Sequence, residues 1–228
     1  MYKTVVFDLD GTLLNTLTDL ADAGNRLCRK YGWPTHERQA YRYFVGNGIP
    51  KLVERLAPAD QRTPAVLEAA LADFKQDYGQ HLRDTTAPYP GIPEMLAKLK
   101  ANGVQLAVFS NKADALAKEV VKDYFGTQYF TIVRGQMTGV APKPAAEGTN
   151  ALLQALHADP ASTLYVGDSN VDVETAHNAN LPCCGAVWGF RTREELNAAG
   201  AEYLAENSDE LYDLSLIHIS EPTRPRLI

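Results

Sequence analysis

The sequence is poor in cysteine and has no long apolar run. Its three cysteines, Cys28, Cys183 and Cys184, are too few for a disulfide framework, so reduced thiols are expected. The five histidines stand at no zinc-ligand spacing from these cysteines, which argues against a zinc site. The N-terminal residues lack the features of a signal peptide, and no apolar stretch has the length of a bilayer span. We therefore expect a cytoplasmic protein without a membrane segment.

Positive charge is also in deficit. The 22 Lys and Arg residues are outnumbered by 28 Asp and Glu residues, which gives a formal net charge of −6. A protein of this sign does not attract nucleic acid or an anionic membrane through its overall field, so neither is expected as a partner. An anionic small molecule would need local positive groups or a metal ion at its binding site.

Short apolar runs without alternation, typical of strands buried on both faces, recur along the chain. They cover residues 4–7, 104–109, 129–133, 164–166 and 184–188. Helical patterns lie between them, at residues 92–101, 113–124, 145–156 and 172–180. Because strands and helices alternate, the sequence predicts an α/β fold with a doubly wound parallel sheet.

One interval breaks this alternation. From residue 17 to about residue 83 no strand-like run occurs, and Leu20, Ala23 and Leu27 begin a series of apolar residues at helical spacing. An all-helical cap inserted after the first strand accounts for the interval, and prolines at positions 88 and 90 mark the return. The predicted division is an α/β core of residues 1–15 and 88–213 with a cap of residues 16–87.

The end of the chain differs in character from the acidic helix before it. The string LSLIHISEPTR, from Leu214 to Arg224, resembles the in-frame translation of a sequencing adapter. A disordered natural tail is the alternative. We predict a non-native tail over residues 214–228 and no functional residue within it.

Polar side chains follow several of the predicted strands at the point where each strand ends. They are Asp8 and Asp10 after the first strand, Ser110 and Asn111 after the second, and Asp168 after the fourth. Lys143 precedes the helix that leads into the fourth strand. Because the carboxyl ends of parallel strands lie along one edge of a sheet, we expect these groups to converge there.

Such a cluster restricts the chemistry that it can support. Asp8, Asp10, Asp168 and Asp172 would repel one another unless a cation neutralised them. A hard divalent ion with oxygen ligands fits this set, so Mg²⁺ is predicted in preference to zinc. With the positive charge of Lys143 and a nearby serine hydroxyl, the cluster suits a phosphoryl group. A carboxylate can also act as the nucleophile and form an aspartyl-phosphate.

These clusters resemble the four motifs of the haloacid dehalogenase superfamily. The motifs read Asp8-x-Asp10-Gly11-Thr12, Ser110-Asn111, Lys143-Pro144 and Gly167-Asp168-Ser169-x-x-Asp172, in that order. The helical insertion resembles the cap of the phosphoglycolate-phosphatase-like branch, whose substrate-facing loop is matched by Val45-Gly46-Asn47-Gly48. One departure is the single proline after Lys143, where family members often have Pro-x-Pro.

The resemblance implies a role for each matched residue. Asp8 would attack phosphorus, while Asp10 would protonate the leaving alkoxide and then activate water. Thr12 would orient Asp10. The implied catalytic residues are Asp8, Asp10, Ser110 and Lys143. The implied metal ligands are Asp8, Asp10 through its backbone carbonyl, Asp168 and, through a bound water, Asp172. The implied substrate-binding residues are Thr12, Gly46, Asn47, Gly48, Ser110, Asn111 and Lys143.

Each of these residues has an ordinary structural alternative. Asp8 and Asp10 could cap the turn after a strand, and Ser110 with Asn111 could cap the next helix. A lone lysine such as Lys143 is usually a solvated surface residue, and the cap glycines could simply separate two helices. The order of all four motifs along one chain favours the functional interpretation.

The function that the resemblance implies is a magnesium-dependent phosphatase for a small phosphorylated metabolite, with phosphoglycolate as the first candidate. Three alternatives stay open: a pyrophosphatase, a β-phosphoglucomutase-like phosphotransferase and a non-enzymatic binder of phosphorylated ligands. The surface pattern indicates no dimer interface, and a monomer and a weak homodimer are both compatible with it.

Overall fold

A six-stranded parallel sheet forms the centre of the computed structural model, which describes residues 1–216. In chain order the strands are β1 Thr4–Phe7, β2 Leu14–Asn15, β3 Ala87–Pro88, β4 Gln105–Ala113, β5 Phe130–Gln136, β6 Thr163–Gly167, β7 Cys183–Ala186 and β8 Tyr203–Ala205. The α-helices are α1 Leu17–Tyr31, α2 Arg38–Phe44, α3 Ile49–Leu56, α4 Pro64–His81, α5 Ile92–Ala101, α6 Asp114–Phe125, α7 Ala146–Leu156, α8 Asn170–Asn178, α9 Arg193–Ala198 and α10 Ser208–Leu216. The order in the sheet is β5-β4-β1-β6-β7-β8, which confirms the predicted doubly wound α/β fold.

The sheet is covered on both faces, as the unbroken apolar runs predicted. In β1, Val5 and Phe7 belong to one hydrophobic cluster and Val6 to another, because successive side chains of a strand point to opposite faces. β1 also lies between β4 and β6, the strands that lead to the two halves of the sheet. The carboxyl end of β1 is therefore the switch point where a ligand site is expected.

The structure departs from the predicted elements in three places. β4 continues to Ala113 through an irregularity after Phe109, so that Ser110 and Asn111 belong to the strand and not to a loop after it. The strands β8 and β2–β3 were not predicted, because two or three residues are too few to show a hydrophobic period.

Helices α1 to α4 occupy the interval that was predicted to be a helical cap. The two chain segments that connect it to the core pair with each other as the antiparallel ribbon β2–β3, with Leu14 opposite Pro88 and Asn15 opposite Ala87. No helix within residues 1–216 combines the length and the apolar character needed to cross a membrane.

Most of the predicted non-native tail, residues 217–228, lies outside the described residues. Its first residues, 214–216, complete α10. There the backbone carbonyl of Ser215 accepts a hydrogen bond of 3.1 Å from the backbone N–H of Tyr2.

A buried carboxylate on α1 holds the segment that returns from the cap. Asp19 accepts hydrogen bonds from the backbone N–H groups of Thr85 and Thr86, at 2.9 Å each, and from both threonine hydroxyls, at 2.5 and 2.7 Å. The hydroxyl of Tyr124 donates to the carbonyl of Thr86 at 2.9 Å. Four donors on one carboxylate satisfy a charge that would be costly to bury alone.

Replacing Asp19 by Asn is expected to destabilise the protein by about 2–4 kcal/mol. The substitution removes the charge and directs an amide N–H₂ group at donors that then lack an acceptor. The exposed Asp22 lies on the same helix, so Asp22→Asn is the matched control and should shift stability by less than about 0.5 kcal/mol. Urea unfolding of both variants makes the comparison, and equal midpoints would contradict this role of Asp19.

Candidate active site

The ammonium group of Lys143 lies buried among acidic and polar groups at the end of β1. Its Nζ is 2.7 Å from Oδ1 of Asp8 and 2.7 Å from Oδ1 of Asp172. It also contacts the hydroxyl of Tyr165 at 3.1 Å and the carbonyl of Phe109 at 3.3 Å. Burial alone would lower the pKa of this lysine, but the charges of Asp172 and Asp8 raise that pKa well above its usual value. Lys143 is therefore a permanent cation beside Asp8.

Asp172 is oriented by the start of its own helix. Its Oδ2 accepts hydrogen bonds from the backbone N–H and the hydroxyl of Ser169, at 3.1 and 2.7 Å. This capping box fixes the carboxylate at the first turn of α8 and leaves Oδ1 for Lys143. The spacing Ser169-x-x-Asp172 therefore serves both helix formation and the site.

Three buried carboxylates converge at this edge of the sheet. Oxygen atoms of Asp8, Asp168 and Asp172 all lie within 4.8 Å of one another. Burial raises the pKa of Asp8 to about 7, against an opposing effect of Lys143, and burial with the charges of Asp172 and Asp8 raises that of Asp168 well above its usual range. One lysine cannot neutralise three carboxylates, and an all-oxygen donor set suits a hard divalent cation. The residues present therefore fit Mg²⁺, with Asp8, Asp168 and Asp172 as the groups that would hold it.

The carboxylate of Asp168 is fixed by two donors from different parts of the core. The hydroxyl of Thr12 donates to its Oδ1 at 3.1 Å, and the backbone N–H of Phe190 donates to its Oδ2 at 2.7 Å. Gly11 is required next to it, since φ is +93° there and a Cβ atom would lie 2.2 Å from Oδ2 of Asp168. The glycine of the first motif thus makes room for the acid of the fourth.

Magnesium is expected to stabilise the protein more at about pH 8 than at about pH 5.5. The pKa of Asp8, about 7, and the raised pKa of Asp168 mean that the folded state retains protons that the unfolded chain has released. Stability without metal should therefore fall as the pH rises through 7, and a cation must displace protons to bind at lower pH. Melting temperatures with Mg²⁺ and with a chelator at both pH values test this. An equal shift at the two pH values would contradict it.

Asp10 lies outside the group of three carboxylates and pairs with a second lysine. Nζ of Lys112 lies 3.1 and 3.2 Å from the two carboxylate oxygens of Asp10 and 2.9 Å from the hydroxyl of Tyr78 on α4. Burial alone would lower the pKa of Lys112, but the charge of Asp10 raises that pKa above its usual value. Direct metal coordination by Asp10 through its backbone carbonyl stays a prediction.

A cavity lies between the cap and the core at this edge of the sheet. It holds about 460 Å³ of space free of protein atoms, solvent at its mouth included. Its polar wall consists of Asp8, Asp10, Ser110, Asn111 and Lys112, and its cap wall consists of Leu20, Val45, Gly46, Gly48, Ile49, Leu52 and Tyr78. Six of the predicted site residues thus line one cavity.

Asn111 ties this wall together. Its amide nitrogen donates to the carbonyl of Gly46 at 2.9 Å and to that of Lys143 at 3.2 Å, and its Oδ1 accepts from the backbone N–H of Lys143 at 2.8 Å. Its side-chain amide therefore joins the cap loop at Gly46 to the core loop at Lys143, in addition to any contact with a ligand.

Three residues predicted to bind substrate lie outside the lining of this cavity, and one of them, Lys143, is bonded to Asp8. Thr12 is fully buried, and its hydroxyl donates to Asp168 instead of orienting Asp10 or facing the cavity. The turn after β1 directs this side chain at the fourth motif, and a contact of Thr12 with substrate stays a prediction. Asn47 lines a neighbouring cleft, where its Oδ1 accepts from Nη2 of Arg55 at 2.9 Å.

Two arginines join the cap to the loop after β7 in reciprocal fashion. Arg42 on α2 donates to the carbonyls of Gly189 and Phe190, at 2.7 Å each, while Arg191 donates to the carbonyl of Arg42. The N–H of the same Phe190 holds Asp168. The position of the cap is therefore linked through one peptide unit to a carboxylate of the proposed metal group.

Sequence reasoning missed Lys112, Tyr78 and Arg42. Lys112 directly follows the second motif, and an extension of the strand prediction by three residues would have placed it beside Asn111. Tyr78 and Arg42 carry no local signal, because their contacts are with residues far away in sequence.

The chain matches the model of a known protein family. The model of haloacid dehalogenase-like hydrolases matches residues 5–186. The chain is 32% identical to the phosphoglycolate phosphatase of Chromobacterium violaceum over 215 residues, 93% of this chain and 96% of that protein. It is 31% identical to the enzyme of the same name from Thiobacillus denitrificans, over 82% and 84% of the two chains.

A solved structure agrees with these relatives. A crystal structure from Lactobacillus delbrueckii subsp. bulgaricus, provisionally assigned as a phosphoglycolate phosphatase, superposes with a TM-score of 0.89 at 28% identity, over 94% of this chain and 98% of that one. The chain belongs to the haloacid dehalogenase-like hydrolases. Within that family it is a phosphoric monoester hydrolase.

Proposed function

We propose that this chain hydrolyses a small phosphate monoester, with 2-phosphoglycolate as the first candidate, through an aspartyl-phosphate formed on Asp8. The observation that carries the proposal is that the two acids of the first motif pair with different lysines. Asp8 is bonded to Lys143 beside two further carboxylates, whereas Asp10 is bonded to Lys112. Two acids on one cavity wall with separate partners suit a nucleophile and a proton carrier.

The steps use the side chains as they lie. Lys143 holds Oδ1 of Asp8, which leaves the second oxygen to attack phosphorus as the bond to the ester oxygen breaks. Asp10, after it has taken up a proton from solvent, donates that proton to the leaving alkoxide. Asp10 then takes a proton from the water that attacks the acyl-phosphate, and inorganic phosphate leaves as Asp8 is restored. Ser110 on the same wall offers a hydroxyl to the phosphoryl oxygens.

The proposal includes Mg²⁺ held by Asp8, Asp168 and Asp172, which would neutralise charge on the phosphoryl oxygens. It also includes movement of the cap. Cap residues such as Ile49 and Leu52 line one side of the cavity, and in the proposed cycle the cap opens about the β2–β3 ribbon to admit substrate. A cytoplasmic location stays a prediction from the sequence.

The choice of phosphoglycolate rests on the names of the relatives. At 23% identity, a Rhodobacter sphaeroides protein of the same fold has been crystallised with xylulose-1,5-bisphosphate, so sugar phosphates belong in any substrate test. A β-phosphoglucomutase-like reaction would convert a hexose phosphate to its isomer without release of phosphate.

A screen of phosphate esters with added Mg²⁺ is expected to show release of phosphate, with 2-phosphoglycolate among the best substrates. The panel includes glycerol phosphate, hexose phosphates and pyrophosphate, and both phosphate and isomerised sugar are measured. A chelator should abolish the activity and Mg²⁺ should restore it, because the carboxylates of the site would otherwise repel the substrate. Activity that is unchanged by the chelator would contradict the metal assignment. Isomerisation without phosphate release would contradict the assignment as a phosphatase.

A further inference from the structure

The proposed reaction leaves the buried cation Lys112 without a full explanation. Its side chain is 2% exposed, and it lines the cavity together with Asp8 and Asp10. The phosphoryl end of the site already has its own lysine, Lys143, which is bonded to Asp8. The pairing with Asp10 offsets the cost of burying this ammonium, but it does not explain why the pair lines the cavity.

Lys112 and Tyr78 form one polar group on the cavity wall. The three donors of the Lys112 ammonium face the two carboxylate oxygens of Asp10, at 3.1 and 3.2 Å, and the hydroxyl of Tyr78, at 2.9 Å. Within residues 1–216 the hydroxyl of Tyr78 has Lys112 as its hydrogen-bond partner and accepts from it, which leaves the hydroxyl hydrogen for another acceptor. The cavity wall thus presents a hydroxyl donor from the cap next to an ammonium charge from the core, which a ligand carboxylate would share with Asp10.

The rest of the cap wall is apolar at this level. Leu20, Val45, Ile49 and Leu52 line the cavity around Tyr78. Such walls exclude water and strengthen the attraction between a buried cation and an anion. The side chains of these four residues offer no polar partner to a ligand.

We propose that Lys112 and Tyr78 together bind a carboxylate of the substrate and so select phosphate monoesters of short hydroxy acids. This inference rests on the proposed phosphatase function and adds the residues that choose the substrate. The ligand would carry two anionic ends, the phosphoryl group at Asp8 and Lys143 and the carboxylate at Lys112. Since Tyr78 belongs to the cap, the second contact exists only when the cap is closed.

A simpler role for Lys112 is to orient Asp10. The two roles differ in what they do to different substrates. An orienting lysine affects esters with similar alkoxide leaving groups by about the same factor, because each of them needs the proton of Asp10. A carboxylate-binding lysine affects only esters that carry a carboxylate, so the ratio of two substrates separates the roles.

The test compares 2-phosphoglycolate with ethyl phosphate, which has a methyl group in place of the carboxylate. The wild-type protein should prefer phosphoglycolate in kcat/KM, and Lys112→Met should reduce that preference by about 10- to 100-fold. Tyr78→Phe keeps the ring and its packing, so it should fold even where Lys112→Met does not, and it should reduce the preference about 10-fold. Lys118→Met removes an exposed lysine of the neighbouring helix and serves as the matched control.

Two results would overturn the inference. One is an equal loss for both substrates in Lys112→Met and Tyr78→Phe, which would assign Lys112 to Asp10 alone. The other is a wild-type protein that hydrolyses the two esters equally well. That result would support the phosphatase function and contradict the proposed contact of Lys112 and Tyr78 with a carboxylate. A wild-type protein that hydrolyses no ester with Mg²⁺ would instead overturn the proposed function, and this inference with it.

Discussion

Asp8→Asn is expected to lower kcat for phosphate release by at least about 10,000-fold. An amide has nearly the shape of the carboxylate but is not a nucleophile, so no aspartyl-phosphate can form. The variant also loses one of the three carboxylates that are proposed to hold the metal. The rate is measured under saturating Mg²⁺ with the best substrate of the screen. Asp209→Asn, at an exposed position on α10, is the control and should retain wild-type activity.

Loss of activity in Asp8→Asn should not come from unfolding. The pKa of Asp8 is about 7 in the folded protein, above its value in an unfolded chain, so its negative charge costs stability at about pH 8. Removal of that charge should leave the metal-free variant at least as stable as wild type at this pH. A variant that is both stable and active would contradict the nucleophile assignment. An inactive variant with a much lower melting temperature would leave the stability argument wrong.

Asp10→Asn is expected to lower kcat by about 100- to 10,000-fold, with a loss that depends on the leaving group. An alkoxide leaves poorly without a proton, whereas p-nitrophenolate leaves readily. Formation of the aspartyl-phosphate from p-nitrophenyl phosphate should therefore continue in the variant, while its hydrolysis slows because water lacks a base. A time course of p-nitrophenol release is expected to show a rapid burst followed by a slow steady-state rate.

The position of Asp10 supports this separation of steps. Its carboxylate is bonded to Lys112 and is not part of the group formed by Asp8, Asp168 and Asp172. It can therefore be altered with less effect on the metal than Asp8. An equal loss for both leaving groups, without a burst, would show that Asp10 does not carry the proton.

The cap contacts explain why activity and closure should be linked. Arg42 and Tyr78 reach from the cap to the loop beside Asp168 and to the lysine beside Asp10. Arg42 bonds to the loop whose Phe190 N–H donates to Asp168. Tyr78 bonds to Lys112, which pairs with Asp10. Closure is thus expected to order the site as well as to exclude water.

Sequence patterns were sufficient for the fold class and for most of the chemical groups. A strand buried on both faces shows itself as an unbroken apolar run such as Thr4–Phe7, and polar residues at its end are adjacent in the chain. Strand ends of a parallel sheet meet at one edge, so the convergence of Asp8, Ser110 and Asp168 followed from topology alone. The separate assignment of Asp8 and Asp10 came from the resemblance of the motifs.

Packing between distant segments determined what local patterns could not show. Lys112 meets Tyr78 across 34 positions, and Arg42 meets Gly189 across 147. No periodicity encodes such pairs, because they depend on how the cap rests on the core. The same holds for Thr12, whose hydroxyl bonds to Asp168, a residue 156 positions away in the chain. The sequence alone predicted the two acids of the first motif, Asp8 and Asp10. Only the tertiary structure determined that they pair with Lys143 and Lys112.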